Sequence, residues 1–123
     1  MIVGIGVDIV DVPRFERATS RTPGVLTRLF SEAEQHNGDT RRTLRSMAAR
    51  FAAKEALIKA LGDSTGLRWH DMAVVSDDLG NPSFEIHNAV EGIVVARGIS
   101  RLHLSMSHDA GLAIAYVVAE GDG

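Results

Sequence analysis

A chain of 123 residues with a net charge of −3, 45% hydrophobic residues and 24% charged ones has the make-up of a soluble globular protein of one domain. The lack of cysteine excludes disulfides, thiolate metal sites and a cysteine nucleophile, and it suits a cytoplasmic protein. Aromatics at 5% leave too few rings for a nucleic-acid stacking platform, and no apolar run reaches membrane-spanning length. Met1–Val10 has no basic start and is interrupted by glycines and Asp8, unlike a signal peptide. Neither nucleic acid nor membrane is therefore expected as a partner.

Charge is unevenly spread. Ten of the 13 Lys and Arg lie between Arg14 and Lys59, against five of the 16 acids. A basic sector on an acidic chain suggests a polyanionic ligand or an acidic protein partner; a solvated charged face is the plainer alternative.

In chain order, Ile2–Val10 alternates as a strand, with Val3, Ile5, Val7 and Ile9 expected on the core side and Gly4, Gly6 and Asp8 on the other. Asp11 and Pro13 start a helix to about Thr19, and Pro23-Gly24 opens another through Phe30. Ser31-x-x-Glu34 is a capping box, and His36–Thr40 is a loop with Asn37-Gly38 as its turn. A long helix runs from about Arg41 to Leu61 and stops at Gly62. After the loop Asp63–His70, strands are expected over Met72–Ser76 and Ser83–His87. Asn88 with Glu91 marks a helix start, and Gly98 ends that helix. Arg101–His108 alternates with Leu102, Leu104 and Met106 inward, Asp109-Ala110-Gly111 is a hairpin turn, and Leu112–Ala119 is apolar on both faces, as in a covered strand. This order predicts an α+β fold with a mainly antiparallel sheet packed against a long central helix.

Two carboxylates stand out. In the stretch Leu44–Leu61, Leu44, Met47, Ala48, Phe51 and Ile58 recur on one helical face, and Glu55 falls within it. A carboxylate there calls for a partner, either a cation or Lys59 one turn on. Asp8 shares its strand face with two glycines, which lets a ligand or another backbone come close; capping the next helix is the alternative. Oxygen ligands of this kind favour magnesium, completed by water and substrate phosphates. Lys59, Arg45, Arg50 and Lys54 are candidate phosphate ligands. Ser107-His108-Asp109 at a sheet end suits proton transfer or phosphate binding, with a polar hairpin tip as the alternative. The Gly-x-Gly is no dinucleotide fingerprint, and Ser107 lacks the glycines of a nucleophile elbow.

Taken together, Gly4-Ile-Gly-Val-Asp8-Ile9, Phe30-Ser-x-x-Glu34, Phe51-Ala-Ala-Lys-Glu-Ala56, Lys59-Ala-Leu-Gly62, Gly80-Asn-Pro82 and Ser105-Met-Ser-His108-Asp109 resemble the holo-[acyl-carrier-protein] synthases, the small 4'-phosphopantetheinyl transferases of bacterial fatty acid synthesis. The pieces occur in family order over nearly the whole length, which implies a single transferase domain over 1–123. The resemblance implies that Asp8 and Glu55 hold Mg²⁺ on the pyrophosphate of coenzyme A and that Lys59 neutralises the same phosphates. It implies nucleotide contacts, the 3'-phosphate included, from Arg45, Arg50, Ser107 and His108, a coenzyme cleft lined by Gly62 and Pro82, and docking of acyl carrier protein on Arg14, Arg17, Arg21 and Arg28. It further implies a homotrimer with active sites shared between subunits, His108 coming from a neighbour. A water held by the metal or by Glu55, His108 and Asp109 all stand open as the proton acceptor. Departures from the family pattern are Asp109 where many relatives have Glu, Ser31 for a common Thr, and a compact polar loop at Asp63–His70. The rival expectations are a non-catalytic coenzyme A or carrier-binding module and a magnesium-dependent nucleotide pyrophosphate hydrolase.

Overall fold

The computed structural model describes residues 1–122. Its elements are β1 (Ile2–Asp11), α1 (Val12–Arg21), α2 (Gly24–Leu29), β2 (His36–Asn37), β3 (Thr40–Arg41), α3 (Leu44–Leu61), β4 (Met72–Ser76), β5 (Pro82–Ile86), α4 (Asn88–Ala96), β6 (Ile99–Asp109) and β7 (Leu112–Gly121), with 3-10 turns at Ala33–Gln35 and Trp69–Asp71. Every strand pair is antiparallel, and β1-β7-β6 form the main sheet. The α+β architecture around a long helix is therefore as expected. Among the described residues, no helix is long and apolar enough to cross a membrane.

The core lies between α3 and one face of that sheet. Ala48, Ala52, Ala56 and Ala60 give α3 a smooth buried side, which meets Ala113, Ala115, Val117 and Ala119 of β7. Gly4 and Gly6 complete the fit. A Cβ on Gly4 would lie 1.9 Å from the Ala60 carbonyl oxygen, and one on Gly6 1.8 Å from that of Ala56. The glycine face of β1 thus receives another backbone, which is the second of the two uses that glycines in a strand suggest. This reverses the expected polarity of β1. Gly6 and Val10 are buried, while Ile5, Val7 and Ile9 are exposed, because only a bare strand face lets the helix axis come this close. Leu112, Ile114 and Tyr116 lie on the same outer face, so β7 is covered on one side only within one chain.

Local chemistry sets the other boundaries. The Asp11 carboxylate caps α1 by accepting the Arg14 N–H at 2.9 Å, and Pro13 sits in its first turn. The Ser31–Glu34 capping box forms in both directions, at 3.0 and 3.3 Å. The helix α3 begins at Leu44 rather than Arg41, because Thr43 takes the cap and residues 36–41 pair as a miniature hairpin. Gly62 ends it in the left-handed region (φ 70°). No capping box forms at Asn88, whose side chain instead donates to Asp71. Ala110 and Gly111 both have positive φ, which matches the twist of the β6–β7 hairpin.

Candidate functional site

The cluster forms where β1 leaves the shadow of α3. Asp8 follows the two glycines on the α3-facing side of β1, and Glu55 lies one residue before Ala56, the residue that touches Gly6. The close helix–strand contact therefore delivers both carboxylates to one groove of about 390 Å³, together with Arg14 and the apolar side chains of Phe15, Val25, Leu29 and Phe51. A ring contact of Phe15 with Phe51 (5.8 Å) holds α1 against α3, and one of Phe51 with Trp69 (5.7 Å) holds the 3-10 turn Trp69–Asp71 against α3. Lys59 reaches across from α3, donating to the Val7 carbonyl at 2.9 Å and to Asp8 Oδ1 at 3.1 Å.

One lysine faces two carboxylates. Partial burial pushes the Glu55 carboxyl above the ordinary glutamate range, the Asp8 charge adds to the rise, and Lys59 opposes it. Arg14 also lines the groove but is not among the charges acting on Glu55, so the carboxylate pair itself is short of positive charge. Two carboxylates are fewer than a closed protein cage would supply, and among the described residues no three metal-ligating side chains cluster. Two oxygen donors open to solvent and substrate fit magnesium, which keeps most of its shell for water and phosphate.

The remaining expected residues divide among other places. Arg45, His108 and Asp109 line a second hollow beside the β6–β7 turn. His108 pairs with Ala113 and shares the α3-facing side with Asp8, whereas Ser107 and Asp109 pair with Ile114 and Leu112 on the outer side. One chain therefore does not bring Ser107, His108 or Asp109 into the Asp8–Glu55 groove. Arg50 lines a third hollow of about 470 Å³ with Asn37, Arg42, Ser76 and Asp77. Pro82 pairs with Ser76 at its edge. Arg17 and Arg21 share a shallow hollow on another flank of α1 from Arg14, and Arg28 is exposed on α2. Gly62 answers a structural demand as well, since a Cβ there would meet the Arg97 guanidinium, which donates to the Leu61 carbonyl.

Two assignments change. Lys54 is no phosphate ligand. It is fully buried over the Phe30 ring and donates to Glu34 (2.9 Å), Leu29 O (2.7 Å) and Trp69 O (3.0 Å). Arg42, absent from the expectations, faces Arg50 across the third hollow, and the Nε of each is buried without a partner. Burial and then the neighbouring Arg42 lower the Arg50 pKa to about 10, with Glu34 opposing. The hollow holds two carboxylates, Asp77 and Asp78, beside the two cations. Asp77 is turned to the Leu79 and Asn81 N–H groups, so the unpartnered Nε–H groups of Arg42 and Arg50 are what an anion would meet. The Arg41-Arg42 pair in the sequence was the available signal, but a run of two basic residues does not say which one turns inward.

Residues 4–117 match the family model described as the 4'-phosphopantetheinyl transferase superfamily. The chain is 59% identical to a holo-[acyl-carrier-protein] synthase of Clavibacter sepedonicus, covering 100% of this chain and 99% of that one. It resembles the crystal structure of the Neisseria meningitidis holo-[acyl-carrier-protein] synthase with a TM-score of 0.83 at 35% identity, covering 98% and 99% of the two chains. A Bacillus anthracis holo-(acyl-carrier-protein) synthase structure in complex with CoA (3',5'-ADP) matches with a TM-score of 0.79 at 32% identity, over 99% of each chain. With one carboxylate on a glycine-faced strand, a second on the helix packed against it, and a family match along nearly all of its length, the chain belongs to the 4'-phosphopantetheinyl transferase superfamily, among the holo-[acyl-carrier-protein] synthases.

Proposed function

We propose that the chain is one transferase domain that moves the 4'-phosphopantetheine arm of coenzyme A onto a serine of apo acyl carrier protein. The observation that carries this reading is the groove in which Asp8 and Glu55 face one Lys59, with Arg14 on its rim. The carrier's serine oxygen forms a bond to the β-phosphorus of coenzyme A. The bond from that phosphorus to the bridging oxygen breaks, and 3',5'-adenosine bisphosphate leaves with the electron pair. Such a transfer needs positioning and charge neutralisation rather than an enzyme nucleophile. Asp8 and Glu55 would hold Mg²⁺, which when bound supplies charge neutralisation on the diphosphate. Lys59 neutralises the same phosphates, and a water held by Glu55 takes the serine proton.

The Arg42–Arg50 hollow seats the 3'-phosphate, in place of the expected Arg45. Arg14, Arg17, Arg21 and Arg28 present a basic surface on α1 and α2 to an acidic carrier. Val25, Leu29, Phe15 and Phe51 give that surface an apolar centre beside the reacting groups. His108, Asp109, Arg45 and Ser107 reach the coenzyme in a shared site between subunits. The outer sheet face supports assembly of copies of this chain. Its row Ile5, Val7 and Ile9 is continuous with Ile114 and Tyr116 through the strand register, and an apolar patch of that kind marks an interface. Ile9→Asp, at a residue 59% exposed in the single chain, is expected to convert a trimer to monomers by light scattering.

The deciding experiment is mass spectrometry of apo carrier protein incubated with coenzyme A, Mg²⁺ and the protein. Gain of the phosphopantetheine mass is expected. Binding without that gain would leave a carrier-binding module, and nucleotide release without it a pyrophosphate hydrolase.

A further inference from the structure

The buried Glu34–Lys54 pair is tied by hydrogen bonds to the segments that carry Arg42, Arg50 and Ser76, and the catalytic reading gives it no task. Glu34 Oε1 accepts from Lys54 Nζ at 2.9 Å and from the Ser31 N–H at 3.0 Å, and its Oε2 accepts the Val74 N–H at 3.1 Å. Val74 lies two residues before Ser76, whose hydroxyl accepts from Arg50 Nη2 at 3.2 Å. The next residue after Glu34, Gln35, accepts the Arg42 N–H on its carbonyl at 2.9 Å and the Arg41 guanidinium on its side chain at 3.2 Å. Lys54 lies one helical turn after Arg50 on α3. One carboxylate thus fastens three things: the strand carrying Ser76, the turn that holds Arg42, and the helix that carries Arg50.

We infer that Glu34 and Lys54 are positioning residues for the donor's 3'-phosphate, setting the spacing of Arg42 and Arg50 without touching the substrate. This rests on reading that hollow as the phosphate seat. The chemistry of the pair explains its form. A carboxylate has two oxygens that only accept, and here three donors occupy them. A glutamine of the same shape must turn its amide group toward either Val74 or the Lys54–Ser31 side, and so releases one wall. Since a guanidinium recognises an anion through a fixed fork of donors, a wall displaced by a fraction of an ångström weakens the grip on that phosphate and on nothing else.

The test compares coenzyme A with 3'-dephospho-coenzyme A as donors, well below the melting temperature of each variant. In Glu34→Gln, kcat/KM for coenzyme A is expected to fall roughly tenfold. The value for the dephospho donor, and the KM for carrier protein, stay as in the unmodified enzyme. An equal fall for both donors, or no fall for either, overturns the inference. Should Glu34→Gln not fold, the double variant Glu34→Gln/Lys54→Met removes both charges together and is expected to show the same selective loss; retained discrimination in it would also overturn the inference. If the unmodified enzyme uses both donors equally, the phosphate assignment of the hollow is what fails. The clamp is then decided by the Arg50 Nε–H resonance in ¹⁵N NMR, which shifts in the variant if Glu34 positions Arg50 and stays put if it does not.

Discussion

Two lysine–carboxylate sites in this molecule use the same residue types to opposite ends. The Glu34–Lys54 pair has side chains 2% and 0% exposed, one anion for one cation, with both carboxylate oxygens and all three ammonium protons engaged by partners. The Asp8–Lys59 pair is 18% and 53% exposed and carries Glu55 as a surplus anion. The first site is complete without any ligand. The second is left with negative charge in a half-buried groove, a state that is costly for the protein alone and useful to a cation that arrives with a substrate.

The largest effect expected from this contrast is on the rate. Asp8→Ala or Glu55→Ala should leave a folded chain by circular dichroism and reduce transfer on the order of 10³-fold. Full activity of either variant in excess magnesium would remove the metal assignment and make the surplus charge incidental. The next effect is on stability. Lys54→Met strands a buried carboxylate and should cost about 3–5 kcal/mol in urea unfolding. Lys59→Met should cost less than about 1 kcal/mol, because its pair is exposed. Similar costs for the two would mean that the sites do not differ in kind. Smaller again is the effect at the rim. Arg14→Glu should raise the KM for carrier protein about tenfold and leave that for coenzyme A unchanged. An unaltered carrier KM in steady-state kinetics would take the carrier away from α1.

The contrast also shows which parts of the fold a sequence discloses. Glu55 was visible because it breaks the apolar stripe of its helix, and Asp8 because it follows two glycines on one strand face, and both signals are local information. The order of strands and helices was visible for the same reason. Lys54 broke the pattern as well, since it lies among Ala52, Ala53 and Ala56 on the buried side of α3. It was misread because its partner lies 20 residues away and capping alone explained Glu34. The polarity of β1 was misread for a related reason. Alternation says that Ile5, Val7 and Ile9 share a face, and hydrophobicity assigns that face to the core. The actual core face is the one that permits contact between backbones, a property of α3's alanines rather than of β1 itself. The apolar row is left outward. Nothing in the spacing of Arg14, Arg45 and Arg50 distinguishes the hollows that hold them: that of Arg14 lies among β1, α1, α2 and α3, that of Arg45 at the β6–β7 turn, and that of Arg50 between the β2–β3 and β4–β5 hairpins.

The smallest expected effect is also the one most specific to the surplus charge. The Glu55 carboxyl titrates above its ordinary value near 4.5 because burial and Asp8 disfavour its ionised form. Between the unfolded and folded values the native state binds more protons than the unfolded chain, so stability falls as pH rises through that window. Glu55→Gln has no such titration. The variant should match the unmodified protein below pH 4 and exceed it at pH 7, by less than about 1 kcal/mol because the group is more than half solvated and screened. The gain accompanies a loss of transfer, as expected where function is held in an unfavourable arrangement of charge. Millimolar Mg²⁺ should then close the gap from the other side, raising the melting temperature of the unmodified protein at pH 7 and leaving that of Glu55→Gln nearly unchanged. A stability difference that is flat from pH 4 to pH 7 would mean that Glu55 and Asp8 do not press on one another, and the groove would then have no charge to offer a metal.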